Sequence, residues 1–324
     1  MTTNIVTEPV QREVQPQANA ADMTGQRSIS ESARRTRGRV LLLCSAVAFA
    51  IMGLAVREVP APISSYEKVF YRSLIGTVLL LVWFAVSRAD VGRPSNWGGL
   101  ACRGIFGGTS LLCFFYSIDH IGLAKATLYC YMYPIYAAVF AWWDLGEKPT
   151  PAAILALVIA VLGSILTLDS HGFSLALTRG DAAGIVAGLM SGAAVTSIRR
   201  LTRTERSAWI VLSFTLCSAL MAIPFMGRGH ATATAPIIGS LMAVGVSAIA
   251  AQILLTMGLR YIPAVEGGVL SLTTVPLSAI LALAVLHETL RMRFWVGAGL
   301  ILTAAVTLIV LPGRRLGLEP SPDV

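Results

Sequence analysis

Four charged residues stand out within long apolar stretches of this sequence, namely Arg72, Arg103, Lys125 and Glu266. A charge at the centre of a membrane helix costs about 2.5 to 3.5 kcal/mol on insertion scales, so each of them needs a partner or a function. Buried Arg and Lys side chains can bind anions, whereas a buried carboxyl group can exchange a proton near neutral pH. These residues are therefore the first candidates for a binding or coupling site.

Arg72 is the strongest candidate for binding an anion. It follows Lys68 by one helical turn, so both side chains lie on one face of a predicted helix. We expect that face to bind a carboxylate or phosphate group of a substrate. The alternative is that the long Arg72 side chain reaches the membrane interface. Arg103 stands near the start of the next apolar stretch and is predicted to be an interface anchor.

Glu266 and Lys125 are candidates for coupling or gating. A buried Glu266 could exchange protons, because burial raises the pKa of a carboxyl group. The alternative is an acid in the first turn of a helix, stabilised by the helix dipole, since Pro263 marks a helix start.

Tyrosines and prolines form a second set of candidates. Tyr129, Tyr133 and Tyr136 share one helical face and could present rings and hydroxyls to a substrate. Pro134 lies in the same stretch and Pro276 in a later one. Each removes a backbone donor, which predicts a bend or gate beside a cavity.

The sequence lacks the motifs of several other classes. It has no Gly-x-x-x-x-Gly-Lys-[Ser/Thr] loop for an ATP-driven pump, and Arg291 occupies the place of a second histidine after His287-Glu288. The five cysteines show no metal-binding or disulfide spacing. We therefore expect no enzymatic activity, no cofactor and no metal.

The elements that must position these residues are membrane helices. Hydrophobic residues make up 55% of the chain and charged residues only 13%, which is far from a soluble composition. The net charge of +8 comes mainly from arginines in short loops, which indicates membrane orientation and not nucleic-acid binding. Apolar runs of membrane-crossing length predict ten spans, at 39–57, 66–87, 97–118, 122–144, 150–169, 180–198, 208–227, 236–259, 263–286 and 292–312.

The charges in the loops predict the topology. Lys and Arg are about twice as frequent on the side of the amino terminus, which predicts that both termini are cytoplasmic. The polar segment 1–38 is expected to be a disordered cytoplasmic tail without a cleavable signal peptide. A first repeat over 39–169, a second over 180–312 and a cytoplasmic tail over 313–324 complete the predicted organisation.

An internal repeat relates the two halves. Leu145-Gly146-Glu147 and Leu286-His287-Glu288 each follow an apolar run that contains a proline, and each precedes another apolar span. Because a repeat of five spans is odd, the second copy must be inverted relative to the first. Lys125 and Glu266 are as far apart in the sequence as Glu147 and Glu288, so they occupy equivalent positions in the two repeats. Because the second repeat is inverted, equivalent residues lie towards opposite membrane faces. We expect no direct ion pair between them, and we expect the two halves to rock about a central site.

Two stretches carry a family resemblance. Gly122-Leu123-Ala124-Lys125-Ala126-Thr127, through Tyr133-Pro134 to Glu147, resembles the end of an EamA domain. Ile262-Pro263-Ala264-Val265-Glu266-Gly267-Gly268, through Pro276 to Glu288, resembles a second one. The chain is thus identified as resembling the drug/metabolite transporter superfamily, EamA type. The resemblance implies ten helices, a central cavity and a broad range of substrates, while Lys125 and Glu266 stand where small or neutral residues are more usual.

Three functions remain open at this point. The first is a secondary transporter in the cytoplasmic (inner) membrane that exports an amino-acid-derived or other zwitterionic or anionic metabolite. The second is uptake of an aromatic vitamin or nucleoside-like compound, of the riboflavin or S-adenosylmethionine type. The third is a membrane protein without transport activity. The expected partners are the substrate, the lipid bilayer and coupling protons, in a monomer or homodimer.

Overall fold

A computed structural model describes the backbone of residues 15–59, 63–87, 92–167, 177–226, 235–286 and 291–310. In these ranges the chain is helical and contains no strand, which confirms the all-α prediction. The helices are α1 Gln15–Arg57, α2 Ser65–Val86, α3 Trp97–Ile121, α4 Leu123–Tyr131, α5 Tyr133–Leu145, α6 Pro151–Thr167, α7 Arg179–Leu201, α8 Ser207–Ala222 with a short 3-10 turn Ile223–Phe225, α9 Ala235–Leu259, α10 Ala264–Ser271, α11 Thr274–Leu286 and α12 Met292–Val310.

The helices correspond to the predicted membrane spans. Eight stretches of the described residues are long and apolar enough to cross a membrane, and α6 is a shorter apolar helix. The remaining predicted span, 122–144, is divided into α4 and α5. Each of the ten predicted spans therefore has a helical counterpart.

Helix α1 differs from the prediction for the amino-terminal tail. Its backbone is helical from Gln15, whereas residues 1–38 were expected to be disordered. The polar residues continue the helix that crosses the membrane from Ser32 onward, so the first span supplies a folded end on which the helix extends. Residues 1–14 and 311–324, with the predicted carboxy-terminal tail, lie outside the described residues.

Two spans are broken at equivalent places. Helix α4 ends at Tyr131 and α5 begins at Tyr133, directly before Pro134. Helix α10 ends at Ser271 and α11 begins at Thr274, two residues before Pro276. Proline fits the first turn of a helix, where its missing N–H would have no partner. The predicted bends are therefore present as breaks, one in each repeat.

The two repeats are interleaved. The most extensive helix contacts join α3 with α7, α1 with α9 and α6 with α12, and each of these pairs takes one helix from each repeat. Under the inverted repeat, the α3–α7 contact is the counterpart of the α9–α1 contact. The sequence halves are consequently not two separate bodies, and their rocking about a central site stays a prediction.

Small residues allow this close packing. A Cβ atom on Gly163 would lie 2.7 Å from the backbone oxygen of Gly297, so α6 and α12 touch through their backbones. The stripe formed by Gly184, Gly188 and Gly192 of α7 packs against the α4–α5 segment. These glycines serve contacts within one chain.

Candidate substrate site

Two buried arginines meet at one aromatic ring. Arg72 of α2 is 8% exposed and Arg103 of α3 is 3% exposed. The Cζ atom of Arg103 lies 4.4 Å from the ring centroid of Phe214 in α8, and that of Arg72 lies 5.8 Å from the same centroid. Arg72 lies about 10 Å along α2 from its start and Arg103 about 9 Å along α3, at 1.5 Å per residue. Both side chains are therefore well inside the bundle.

The two guanidinium groups are incompletely satisfied. The Nε atoms of both residues, and Nη1 of Arg103, are buried without a hydrogen-bond partner. Nη2 of Arg103 donates to Oε1 of Gln252 in α9 over 3.4 Å. Among the described residues no carboxylate lies within ion-pair distance of either arginine. Two positive charges without a counter-ion are costly in a membrane protein, which makes this place a candidate anion site.

The burial of Arg103 contradicts the prediction that it anchors α3 at the interface. The sequence gives the depth of a residue but not the direction of its side chain. Here Gly107, one turn further along α3, leaves the space that the guanidinium occupies, and a Cβ atom there would also lie 2.5 Å from the Phe214 ring. Arg103 therefore folds along its own helix towards Phe214.

The helices α2 and α3, which carry the two arginines, are fixed at their starts by hydrogen bonds. Helix α2 begins with a capping box between Ser64 and Glu67. Before α3, the carboxylate of Glu205 accepts hydrogen bonds from Ser95 N at 2.9 Å, Ser95 Oγ at 2.6 Å and Asn96 N at 2.7 Å. Burial alone would raise the pKa of Glu205, but these hydrogen bonds lower it below its usual value. Glu205 thus joins the start of α3 to the connection between α7 and α8.

The space beside the arginines is small in this structure. A cavity of about 10 Å³, bounded by Arg72, Phe214 and Gln252 among others, has room for about one water molecule. A larger cavity of about 560 Å³ lies between α2, α8 and α9 and shares Ile249 with the small one. Arg206 and Arg260 line this larger cavity. Ile249 thus separates the small space beside the arginines from the larger cavity.

Lys125 has an acidic partner that the sequence did not reveal. Its Nζ atom lies 2.5 Å from Oδ1 of Asp181 in the first turn of α7, and the Asp181 side chain is fully buried. Tyr129 also donates its hydroxyl to Asp181 over 3.0 Å, and Thr178 forms a capping box with the same carboxylate. Asp181 stands beside Arg179 at the edge of a predicted span, where an acid resembles an ordinary loop residue.

Glu266 lies in the first turn of α10, and this helix begins directly after Pro263. Its Oε2 atom lies 3.5 Å from Nη2 of Arg39 in α1. Close by in the chain, the backbone N–H of Ala264 donates to Glu147 over 3.2 Å, and Arg199 pairs with the same carboxylate at 2.8 Å. Glu147 thus caps the start of α10 and pairs with α7. Lys125 and Glu266 have separate partners.

The three tyrosines contact neighbouring helices. The Tyr133 hydroxyl donates to the backbone oxygen of Gly268 over 3.1 Å, and Pro134 packs against the same glycine. Tyr136 lies on the glycine stripe of α7, as does Tyr129. The structure therefore places these residues where the two broken spans and α7 meet, and it does not bring them to the arginine pair. Their contact with substrate stays a prediction.

Comparison with known proteins identifies the family. The model of the EamA-like transporter family matches residues 36–169 and again 178–310. The chain belongs to the EamA-like transporter family. The two matches correspond to the predicted repeats, and they include all of the residues of the candidate site.

Two proteins named as an exporter and a transporter are similar to this chain over most of their length. The pseudopaline exporter CntI of Pseudomonas aeruginosa is 31% identical over 225 residues, covering 68% of this chain and 77% of the relative. An uncharacterized transporter of Helicobacter pylori is 27% identical over 284 residues, covering 85% of this chain and 95% of the relative. One solved crystal structure has a TM-score of 0.73 at 19% identity and covers 87% of this chain and all of its own, which supports the fold alone.

For this candidate site within the EamA-like fold, the sequence predicted Arg72 but not Phe214 or Gln252. Both come from the second repeat, whereas Arg72 and Arg103 come from the first. A phenylalanine in an apolar span carries no signal of its own. Gln252 did carry a signal in the sequence, because a polar amide inside the apolar stretch 236–259 also needs a buried partner.

Proposed function

We propose that this protein is a secondary transporter that exports a small amino-acid-derived or otherwise anionic or zwitterionic metabolite across the cytoplasmic membrane. The observation that carries the proposal is the burial of Arg72 without a carboxylate partner in the described part of the chain. A charge within a membrane span is costly, so a functional role is the first hypothesis for one that has no carboxylate partner. A carboxylate of the substrate supplies the missing partner.

The broken spans support transport. Discontinuous helices near the middle of the membrane are a common feature of inverted-repeat transporters. Here the breaks of α4–α5 and α10–α11 lie together, since Tyr133 donates to the oxygen of Gly268 and Pro134 packs on that residue. Such breaks allow the two parts of each span to move separately.

Export rather than uptake is supported by similarity to the pseudopaline exporter. The sequence holds no nucleotide-binding loop, so the proposed drive is an ion or substrate gradient or a separate partner. The distribution of Lys and Arg supports an orientation with both termini in the cytoplasm. Uptake of an aromatic compound depended on a free tyrosine face, and the contacts of Tyr129, Tyr133 and Tyr136 with other helices disfavour it.

Two ion pairs are proposed as gates. Lys125–Asp181 and Arg39–Glu266 lie at opposite membrane faces, because α1 contains the first span and α7 is the sixth, and consecutive spans alternate in direction. Both pairs are formed while the space at Arg72 is small. Opening to either face would separate one pair while the other stays closed.

Metabolite profiling of cells and medium tests the function. A deletion strain, a strain complemented with the wild type and a strain complemented with Arg72→Gln are compared. An exported compound accumulates inside the deletion and Arg72→Gln strains and decreases in their medium. Arg34→Gln, which removes an exposed arginine, serves as the matched control and should restore export. If no compound differs between the deletion and wild-type strains, the proposal fails.

A further inference from the structure

Arg103 gives the candidate site a second positive charge. Its guanidinium is closer to the Phe214 centroid than that of Arg72, and it too is buried without a carboxylate partner among the described residues. Its Nη2 atom donates to Gln252, which is a neutral group and cancels no charge. Any ligand that enters beside Phe214 therefore meets two cations.

Charge balance distinguishes between classes of ligand. A monoanion would neutralise one guanidinium and leave the other uncompensated in a buried place. A zwitterion would bring no net charge, and its ammonium group would be repelled by both arginines. A dianion would neutralise both, and charge-assisted hydrogen bonds to arginine are the strong ones.

Resting on the proposed function, we infer that the substrate carries two negative charges, one bound by Arg72 and the other by Arg103. Its apolar part packs against Phe214, and the amide nitrogen of Gln252 is available as a further donor. Two chemical sources fit this requirement, a compound with two carboxylates or a phosphate monoester. The inference narrows the proposed anionic or zwitterionic substrate to a dianionic one.

Ligand-dependent melting of the purified full-length protein in detergent tests the inference. The probes are the diacids from malonate to pimelate, each against its own monoamide, and methyl phosphate against dimethyl phosphate, all at equal ionic strength. A ligand that binds only the folded state raises Tm according to its concentration and Kd. We expect at least one dianion to raise Tm more than its singly charged counterpart, with an apparent affinity about tenfold higher. Whether a diacid or methyl phosphate does so identifies the source.

Variants assign the preference to the two arginines. Arg103→Gln and Arg72→Gln should each abolish the difference between dianion and monoanion, whereas Arg34→Gln should keep it. Gln252→Glu provides a second test if the arginine variants do not fold. It places a carboxylate beside Arg103 and cancels that charge without removing the arginine, so it should abolish the same difference. A wild type that responds equally to both members of every pair overturns the inference, as does a preference that survives Arg103→Gln and Gln252→Glu.

Failure of the inference is separable from failure of the proposed function. If profiling identifies an exported compound with fewer than two negative charges, export stands and the dianion inference is wrong. If a dianion is preferred in the melting experiment but no metabolite is exported, the site stands and the proposed export is wrong.

Discussion

Lys125 and Asp181 form an ion pair that is repeated, with the charges exchanged, by Glu266 and Arg39. Lys125 and Glu266 are equivalent in the two repeats, and Asp181 is equivalent to the neighbour of Arg39. In both repeats, therefore, the fourth span forms an ion pair with the first span of the other repeat. The positive charge belongs to the fourth span in the first repeat and to its partner in the second. This relationship explains why two residues that looked like free coupling groups in the sequence both have partners.

Removal of one partner should destabilise the protein. Lys125→Met leaves the fully buried Asp181 carboxylate without its cation, which should cost about 3 kcal/mol of unfolding free energy. Unfolding of the purified protein in detergent measures the loss. The double variant Lys125→Met with Asp181→Asn removes both charges and should regain most of the stability. Additive losses in the double variant would show that the two charges do not interact.

Cross-linking tests the two gates. Pairs of cysteines at Lys125 and Asp181, or at Arg39 and Glu266, in a background without the native cysteines, should form disulfides that stop transport. A reducing agent should restore it, because each face must open in every cycle. The same double-cysteine proteins kept reduced are the controls, because each single variant would leave one charge of the pair without its partner. Continued transport by a fully cross-linked protein would contradict a gating role for that pair.

Removal of Arg103 should have opposite effects on stability and on binding. Arg103→Met eliminates a buried charge without a counter-ion, so the ligand-free protein should gain about 1 kcal/mol or more of unfolding free energy. The same variant should lose the preference for dianionic ligands. Thermal unfolding without and with ligand measures both effects. A structural arginine would show the reverse, namely a loss of stability in the ligand-free protein.

Much of the architecture could be predicted from the sequence, but the contacts between side chains of the two repeats could not. Lengths of apolar runs give the spans, and the odd number of spans in each repeat gives the inversion. Pro134 and Pro276 mark the breaks because proline cannot continue the backbone hydrogen bonds of a helix. The direction of Arg103 depends on Gly107 and on Phe214 from another helix, and the pairing of Lys125 depends on Asp181 from the other repeat. Such contacts depend on packing across the repeats, which local spacing does not encode.

Acid should weaken the connection that Glu205 makes with the start of α3. Burial alone would raise the pKa of Glu205, but hydrogen bonds from Ser95 and Asn96 hold it in the folded protein below its usual value of 4.5, which is taken as the unfolded value. Its contribution to stability is therefore complete above that unfolded value and is lost as the pH falls through the lower folded value. Glu205→Gln should destabilise the protein by about 2 kcal/mol at pH 7, because a neutral amide is a weaker acceptor and one of its two polar atoms is a donor.

Unfolding free energies of the wild type and Glu205→Gln, measured from neutral pH down to pH 3, test this contribution. The gap between the two proteins should narrow as Glu205 in the wild type becomes protonated. Glu147→Gln is not a suitable control, because Glu147 is itself paired with Arg199. Glu58 is an exposed carboxylate beyond the end of α1, so Glu58→Gln should leave the pH profile unchanged. A gap for Glu205→Gln that stays constant across this pH range would mean that the carboxylate charge of Glu205 does not stabilise the contact with Ser95 and Asn96.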